Sequence, residues 1–477
     1  MKKTSKFVAF VLLVSMLIAI YPNKAFADSS IRKTFSVVVN GAEACKIPAL
    51  EVNYDENVFI SIKGIAYSLR DTSKQFSVSI DGEEINIHSG QAYDNYPSNW
   101  TENELSDRPK WKLKRAPVYL DEAEKRYYSL VGSVGEDGTT DAFFSPLRLA
   151  MALNLNMSVE DNTIYINTDE DFFVSDVQLE NSGYLQGINA LLIGDGSTGD
   201  IYYSHNGDKV VPIASTTKLM TYFVLMDAVS NGEVSLDDYA NISDEARQLS
   251  EGIDGLVSFD GISAVPVSEL VYGMLLPSCN ECALAIAEHV SGTEKEFVDR
   301  MNNKANELQL ENAMFYNSNG LPVYEKQLLP AKMQNHMSAE DMFKMASALV
   351  DTYPQVFDIT SETAKNLSTL HYEAKNTNAL LYNLDRVRGL KTGTTNKSGA
   401  CLVSAMPIEK DGETHNLICV LFGAEGEFDR AMVAELGLRI AETKLQGAEP
   451  TVVEEKYEIT KDNPEIDVER MLRNLKY

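Results

Sequence analysis

The chain has 477 residues, of which 44% are hydrophobic and 23% are charged, an ordinary composition for a globular protein. Its length exceeds what a single compact core usually holds, so we expect roughly two or three domains. With 42 basic against 70 acidic residues the net charge is −28, which argues against nucleic acid and anionic lipid as partners, because both bind basic surfaces.

The N-terminus has the pattern of a secretory signal peptide. Three lysines within the first six residues precede an apolar run over 7–20, and the small-residue motif Ala25-Phe26-Ala27 follows. The apolar run is too short to cross a membrane, and no later stretch of the sequence approaches the ~18 apolar residues that a membrane helix needs. We therefore expect residues 1–27 to direct export, and the mature protein to lie at the extracellular face or in the cell wall.

Residues 28–170 contain an internal repeat. The segments 61–69 and 145–153 have apolar residues at helical spacing, and each precedes two alternating segments around a turn. This pattern predicts two helix-plus-hairpin units in a small α+β module without a catalytic cluster. The module resembles the copper-amine-oxidase N-terminal-like repeats of exported bacterial wall proteins, which implies a stalk or wall-binding role and not copper. Between the copies, residues 93–128 hold both tryptophans; an ordered loop is favoured over a wall-contacting insertion.

A glycine motif opens the second domain, which we expect to span residues 185–446. The segment 194–199 matches G-x-G-x-x-G, which in dinucleotide-binding proteins is followed by a helix. Here the next residues alternate as in a strand, so the sequence predicts a hairpin turn and no nucleotide site. Residues 447–477 form a charged tail.

Ser215 and Lys218 begin the strongest chemical signal, an S-x-x-K motif at the start of the apolar run 219–229. The run predicts a helix buried nearly all round. The spacing of three places the lysine amine on the same face as the serine hydroxyl. A serine alcohol needs a neighbouring base to become a nucleophile, and a lysine on a buried helix can lose its proton and serve as that base.

A second motif, Ser278-Cys279-Asn280, follows a helical stretch that ends at Pro277 and precedes another predicted helix over 281–290. A loop between two helices can hold a hydroxyl and an amide toward a cleft. Asn280 can equally serve as the N-cap of the second helix. Cys279 also forms a C-x-x-C motif with Cys282, but no further ligands complete a zinc site, so two buried thiols are favoured. The six histidines show no H-E-x-x-H pattern, which argues against a metallopeptidase.

A third motif contains Lys391, Thr392, Gly393 and Thr394 and precedes two strand patterns at 400–405 and 417–422. A cation and a hydroxyl on an edge strand can bind a substrate carboxylate, and Gly393 lets a substrate backbone approach closely. A backbone N–H beyond Gly393, together with that of Ser215, can form an oxyanion hole.

The order S-x-x-K, S-x-N, K-T-G is specific. With these motifs the chain resembles the serine D-alanyl-D-alanine carboxypeptidases, the low-molecular-mass penicillin-binding proteins of peptidase family S11, over roughly residues 185–446. Further segments resemble the same family, at 213–221, 315–321, 336–342 and 376–393. The resemblance implies a mixed α/β, penicillin-recognising, β-lactamase-like fold, with an antiparallel sheet beside a helical lobe and the site between them.

The resemblance also implies a reaction. Ser215 attacks the penultimate D-Ala carbonyl of a peptidoglycan stem pentapeptide, the terminal D-Ala leaves, and water hydrolyses the acyl-enzyme. Lys218 is the implied base, while Ser278 and Asn280 relay protons and orient the substrate.

The third motif would bind the substrate. Lys391 and Thr392 would hold the terminal carboxylate, and the N–H groups of Ser215 and Thr394 would stabilise the oxyanion. β-Lactams, which mimic D-Ala-D-Ala, would acylate Ser215 as covalent inhibitors. No metal or cofactor is implied. Cys279 stands where the family usually has a smaller Gly or Ala, which puts the shape of the pocket in doubt.

Three alternatives stay open at this point. A class A β-lactamase shares the first and third motifs, but we find no E-x-x-L-N segment between the second and the third. A non-catalytic β-lactam-sensing or wall-binding protein would keep the same fold. Transpeptidation or endopeptidation at the same site is a narrower alternative. The β-rich C-terminal domain and amphipathic anchor of many relatives are not expected here, and the N-terminal module is expected to replace that stalk.

Overall fold

A computed structural model describes residues 30–52, 57–81, 84–95, 117–126, 132–134, 140–181, 183–252, 255–324 and 332–453. The predicted signal segment, both tryptophans and residues 454–477 of the tail lie outside the described residues. The described residues divide into two compact units, the first within 30–172, 181–183 and 451–453, and the second within 173–180 and 184–450. Among the described residues, none of the helices combines the length and the apolar character that crossing a membrane requires.

In the described residues, the first unit has two sheets and two short helices. Its strands are β1 (Ser30–Val39), β2 (Ala42–Val52), β3 (Asn57–Ser61), β4 (Phe76–Asp81), β5 (Glu84–Ser89), β6 (Val118–Leu120), β7 (Ala123–Lys125), β8 (Gly132–Val134), β9 (Thr140–Phe144), β10 (Asn156–Glu160) and β11 (Thr163–Asn167). Its helices are α1 (Ile62–Ser68) and α2 (Pro146–Leu153). The strand order is β10-β11-β1-β2-β3-β9-β8 in one sheet and β4-β5-β6-β7 in the other.

The predicted helix-plus-hairpin repeat is confirmed. Each helix begins at an equivalent serine, because the Oγ of Ser61 accepts the N–H of Gly64 and the Oγ of Ser145 accepts that of Arg148. The hairpins that follow are β4–β5 and β10–β11, both antiparallel.

Each copy also begins with a hairpin that the sequence did not reveal. The β1–β2 turn has Asn40 and Gly41 at φ 50° and 80°, and the β6–β7 turn has Asp121 and Glu122 at φ 50° and 69°. Strand β1 of the first copy pairs in parallel with β11 of the second, and β6 of the second pairs in parallel with β5 of the first. The two copies therefore exchange their first strands.

The second unit combines one large sheet with many helices. Its strands are β12 (Ala190–Asp195), β13 (Ile201–His205), β14 (Val211–Pro212), β15 (Tyr239–Asn241), β16 (Ala264–Pro266), β17 (Val323–Tyr324), β18 (Lys332–Met333), β19 (His336–Met337), β20 (Ala364–Leu367), β21 (Tyr372–Lys375), β22 (Leu390–Thr395), β23 (Gly399–Lys410) and β24 (Glu413–Ala424). Its helices are α3 (Asp176–Asn181), α4 (Lys218–Ser230), α5 (Asp244–Ser250), α6 (Val267–Leu275), α7 (Asn280–Ser291), α8 (Glu294–Glu307), α9 (Ala339–Thr352), α10 (Val356–Thr360), α11 (Leu380–Asn383) and α12 (Glu427–Gln446).

The large sheet has the order β13-β12-β24-β23-β22, and every neighbouring pair in it is antiparallel. Gly194 lies against Phe343 of α9, whereas its strand neighbour Ile193 lies against Gly437 of α12. Because successive residues of a strand point to opposite faces, the two helices cover opposite faces of the sheet. The predicted mixed α/β fold, with an antiparallel sheet beside a helical lobe, is confirmed.

The local predictions around the motifs are confirmed with small shifts. The segment 194–199 forms the β12–β13 hairpin, and no helix follows it. Helix α4 is buried almost all round, and a single 3-10 turn (Ala214–Thr217) precedes it. Helix α7 begins at Asn280, one residue before the predicted start. The N-cap is therefore Cys279, and the interpretation of Asn280 as an N-cap is wrong.

Candidate active site

The three motifs meet at one cleft of the second unit. The cleft is a cavity of about 320 Å³ lined by Ser215, Leu256, Pro277, Ser278, Asn280, Leu321, Thr377, Thr392, Gly393, Thr394, Thr395, Glu427 and Arg430. The first motif comes from the 3-10 turn and α4, the second from the α6–α7 loop, and the third from the edge strand β22. Six of the eight predicted site residues line this cavity, and the other two, Lys218 and Lys391, lie buried behind it.

The Nζ of Lys218 is at the centre of the hydrogen bonds in the site. It lies 2.9 Å from the Oγ of Ser215, 3.3 Å from the Oγ of Ser278 and 2.8 Å from the Oδ1 of Asn280. A fourth contact, 2.9 Å to the backbone carbonyl of Asn319, was not predicted. The first two motifs are therefore joined through one amine.

Burial changes the chemistry of that amine. The side chain of Lys218 is 0% exposed, and burial lowers its pKa from 10.5 to about 7. The nearby Cys279, Glu281 and Cys282 oppose this shift but do not cancel it. At neutral pH a large fraction of this lysine is uncharged and can accept a proton, as a base for Ser215 must.

The backbone around Ser215 is tightly packed. Ala214 has a positive φ of 46°, and a Cβ added at Gly393 would lie 2.9 Å from the nitrogen of Ser215. Gly393 thus gives room to the backbone of Ser215, whereas the sequence analysis assigns that room to a substrate backbone. The N–H of Ser215 lies in the first turn of the 3-10 helix, where backbone N–H groups have no acceptor within the helix.

The second motif is held in an unusual backbone conformation. Ser278 has φ 77°, which directs the chain from the end of α6 into the start of α7. Both Cys279 and Cys282 are free and fully buried, so the prediction of two buried thiols is confirmed. Among the described residues, no group of His, Cys, Asp and Glu is arranged to hold a metal ion.

Three residues of the third motif line the cavity, whereas its lysine is buried in the interior. Thr392, Gly393 and Thr394 line the cavity. Lys391 is 1% exposed, and its Nζ donates to the carbonyl of Thr392 at 3.1 Å. Burial, with Lys218 and Arg430 nearby, holds the pKa of Lys391 well below its usual value. The side chain of Lys391 is therefore in the interior, and it contacts the third motif through the carbonyl of Thr392.

Several site residues escaped the sequence interpretation. Arg430 of α12 is buried, lines the cavity, and donates to the Oγ1 of Thr394 at 3.2 Å. Thr377 shares a hydrogen bond with Thr392. Asn319 and Thr377 lie in segments that resemble the family, but the sequence indicates no role for either residue. No sequence motif indicates Arg430.

Comparisons with known proteins identify the family of this chain. A sequence profile described as D-alanyl-D-alanine carboxypeptidase, peptidase family S11, matches residues 185–426, just over half of the chain. The chain therefore belongs to the D-alanyl-D-alanine carboxypeptidase family of serine peptidases.

Individual relatives match about half of the chain. D-alanyl-D-alanine carboxypeptidase DacF of Bacillus subtilis is 30% identical over 245 residues, 51% of this chain and 58% of DacF. A D-alanyl-D-alanine endopeptidase of Pseudomonas aeruginosa is 30% identical over 46% of this chain and 67% of its own length. Penicillin-binding protein D2 of Listeria monocytogenes in its ampicillin-bound form is 27% identical over 54% of this chain and 97% of that structure, with a TM-score of 0.47. The chain spans less than two thirds of the length of DacF.

Proposed function

We propose that this protein is an exported serine DD-carboxypeptidase that removes the terminal D-Ala from peptidoglycan stem pentapeptides through an acyl-enzyme on Ser215. The proposal depends on one observation, the set of hydrogen-bond partners around the Nζ of Lys218. Family membership supports the substrate class, and the geometry supports the order of the proton transfers.

A neutral lysine amine has two N–H donors and one lone pair. The Oδ1 of Asn280 and the carbonyl of Asn319 can only accept, and at 2.8 and 2.9 Å they use both donors. The lone pair then remains for the hydroxyl of Ser215, 2.9 Å away. In this arrangement the O–H of Ser215 donates to Lys218, which is the geometry of a general base and its nucleophile.

The reaction follows from these positions. Ser215 attacks the carbonyl carbon while its proton moves to Lys218, and the N–H groups of Ser215 and Thr394 stabilise the oxyanion. Ser278, 3.3 Å from the lysine amine, passes the proton to the departing D-Ala nitrogen. Water then attacks the ester, with Lys218 again as base. Thr392 and Arg430 face the substrate carboxylate, and Lys391 supports Thr392 through the hydrogen bond that its Nζ donates to the Thr392 carbonyl.

The first unit and the N-terminal segment belong to the same proposal. We propose that residues 1–27 direct export, and that the first unit holds the protein at the wall, where stem peptides are found. The signal-peptide pattern and the resemblance to wall-protein repeats support this part.

Endopeptidation is the second candidate function. It is favoured by the similarity to the D-alanyl-D-alanine endopeptidase, of which the chain spans 67%. In that reaction the leaving group is the cross-linked amine of a second stem peptide and not free D-Ala.

Intact-mass measurements with benzylpenicillin test the proposal. The parent protein should gain the mass of one penicillin, and Ser215→Ala should gain none. Release of D-Ala from a stem pentapeptide, compared with cleavage of a cross-linked dimer, then separates the two candidates. A short-lived adduct with rapid loss of penicillin would indicate the β-lactamase, and a parent without any adduct would contradict the mechanism.

A further inference from the structure

Glu281 is a buried carboxylate directly beside the second motif, and the reaction above gives it no role. It is the second residue of α7, next to Asn280, and its side chain is 0% exposed. Burying a carboxylate is costly unless its oxygens find partners, so its contacts indicate what holds it there.

One oxygen of Glu281 accepts two backbone hydrogen bonds from a segment at the cleft. Its Oε1 accepts the backbone N–H of Leu256 at 2.9 Å and that of Val257 at 2.5 Å. The side chain of Val257 is buried in the core, whereas that of Leu256 is 49% exposed and lines the cavity. The two hydrogen bonds therefore fix the point at which the segment 255–262 sends one side chain inward and the next into the cleft.

The far end of the same segment is fixed by a second charged side chain. The guanidinium of Arg247 donates to the carbonyls of Phe259 and Ile262. Residues 255–263 contain neither helix nor strand. This segment thus depends on side-chain contacts at its two ends, and Glu281 holds the end at which Leu256 lines the cavity.

The second oxygen of Glu281 makes no hydrogen bond to the described residues. Its Oε2 is buried and has no hydrogen-bond partner among the described residues. The carboxylate raises the pKa of Lys218, against the larger effect of burial. It also raises the pKa of Tyr372 on β21.

Three other titratable groups lie near the amine of Lys218. The thiols of Cys279 and Cys282 raise the pKa of Lys218. Lys391 on β22 is the other amine near Lys218, and burial, with Lys218 and Arg430 nearby, lowers its own pKa. Among these titratable neighbours of Lys218, Glu281 is the carboxylate.

We infer that Glu281 is a positioning residue of the acyl-transfer site, with two actions: its carboxylate fixes the backbone of Leu256 and Val257 at the cleft, and it places a negative charge next to Asn280, a hydrogen-bond partner of Lys218. The inference rests on the proposed function, because both actions serve acylation of Ser215. It assigns to the residue after Asn280 a role that is distinct from the proton transfers.

Two substitutions separate the two actions. Glu281→Gln keeps the length and one accepting oxygen but removes the charge. Glu281→Asp keeps the charge but withdraws the oxygen by one methylene, so it loses the hydrogen bonds to Leu256 and Val257. Glu288→Gln is the matched control, because Glu288 lies on the same helix, also has a buried oxygen without a partner, and is roughly 10 Å further along.

The experiment uses the full chain and two measurements. Amide hydrogen exchange reports on residues 255–262, and the second-order rate of acylation by benzylpenicillin is followed from pH 5 to pH 9. Glu281→Asp should speed exchange at Leu256 and Val257 roughly ten-fold, and slow acylation without moving its pH midpoint. Glu281→Gln should leave exchange near the parent value and move the midpoint about one unit to lower pH, because Lys218 then loses its proton more readily. Glu288→Gln should change neither.

Parent-like exchange in Glu281→Asp together with a parent-like midpoint in Glu281→Gln would overturn the inference while the proposed function stands. A parent protein that forms no adduct would instead overturn the proposed function. In that case the exchange measurement alone decides whether Glu281 fixes the backbone of Leu256 and Val257.

Discussion

At the scale of single residues, the chemistry of the site depends on how the fold surrounds one amine. The spacing of three predicted that Lys218 reaches Ser215, and the structure places the two groups 2.9 Å apart. The carbonyl of Asn319, which orients the same amine, could not be predicted, because a backbone carbonyl leaves no signature in the residue type. Arg430 was missed because it comes from a helix that joins the cleft only in the folded chain.

Acylation of Ser215 should rise with pH, with a midpoint near the pKa of Lys218, about 7. The sign follows from the role of the lysine, because only the neutral amine accepts the serine proton, and the neutral fraction grows as pH rises through the pKa. The rate of adduct formation with benzylpenicillin between pH 5 and pH 9 measures this.

Lys218→Arg provides the test of that assignment, since a guanidinium stays protonated and cannot act as a base. We expect its acylation to fall by at least ~100-fold at every pH. The exposed Lys344→Arg should behave like the parent. A parent rate that is flat across pH 7 would contradict the role of Lys218.

Arg430 should govern binding of substrates that end in a free carboxylate. Its guanidinium lines the cavity and donates to Thr394, so Arg430→Gln removes a charge-assisted hydrogen bond to such a group. We expect KM for D-Ala release to rise about ten-fold or more, with a smaller change in kcat. Lys444→Gln, in the last turn of the same helix, should leave KM unchanged, and an unaltered KM in Arg430→Gln would assign the carboxylate to other groups.

At the scale of elements, the helices and strands around the motifs were predictable because each follows from a local pattern. Helix α4 is apolar nearly all round, and β23 and β24 alternate around a turn. The contact between β22 and the 3-10 turn was not predictable, since it joins segments about 180 residues apart. That contact is where Gly393 meets Ser215.

Gly393→Ala should therefore damage the site from strand β22. A Cβ there would lie 2.9 Å from the nitrogen of Ser215 and 3.1 Å from the Cβ of Ala214, so the 3-10 turn must shift. Displacing a nucleophile by a fraction of an ångström to 1 Å costs roughly 100-fold in rate, which we expect for acylation by benzylpenicillin.

Gly426→Ala is the matched control for this substitution. Gly426 has an extended backbone (φ −153°), and a Cβ added there would lie 3.8 Å from the Oδ2 of Asp429, an ordinary van der Waals contact. The Gly426→Ala variant should be acylated by benzylpenicillin at the parent rate. Equal rates in both variants would show that the turn tolerates the shift.

At the scale of the whole molecule, the repeat was visible in the sequence only where its two copies share a pattern. The helices and the second hairpins share a residue pattern between the two copies. The first hairpins do not, because they turn at Asn40-Gly41 in one copy and at Asp121-Glu122 in the other. Only the first pair is a familiar hairpin signal. The parallel pairing of β1 with β11 joins the two ends of the unit, which no local pattern encodes.

Deleting residues 28–170 should separate retention at the wall from turnover. We expect the shortened protein to wash off isolated cell walls and still release D-Ala from a soluble pentapeptide, because all the motif residues lie in the second unit. Full-length Ser215→Ala is the control and should bind walls without turnover. Unchanged retention after the deletion would remove the wall-binding role from the first unit.

The exchange of strands between the two copies also sets the order in which the chain can fold. Val37 of β1 pairs with Ile164 of β11, so the first strand to be synthesised waits for more than 120 later residues before its sheet can close. Pairings that distant make folding slow and leave a strand edge open in the meantime. A chain threaded through a membrane from its N-terminus would expose that edge until β11 emerged, and this unit is therefore where we expect a need for chaperones to be greatest.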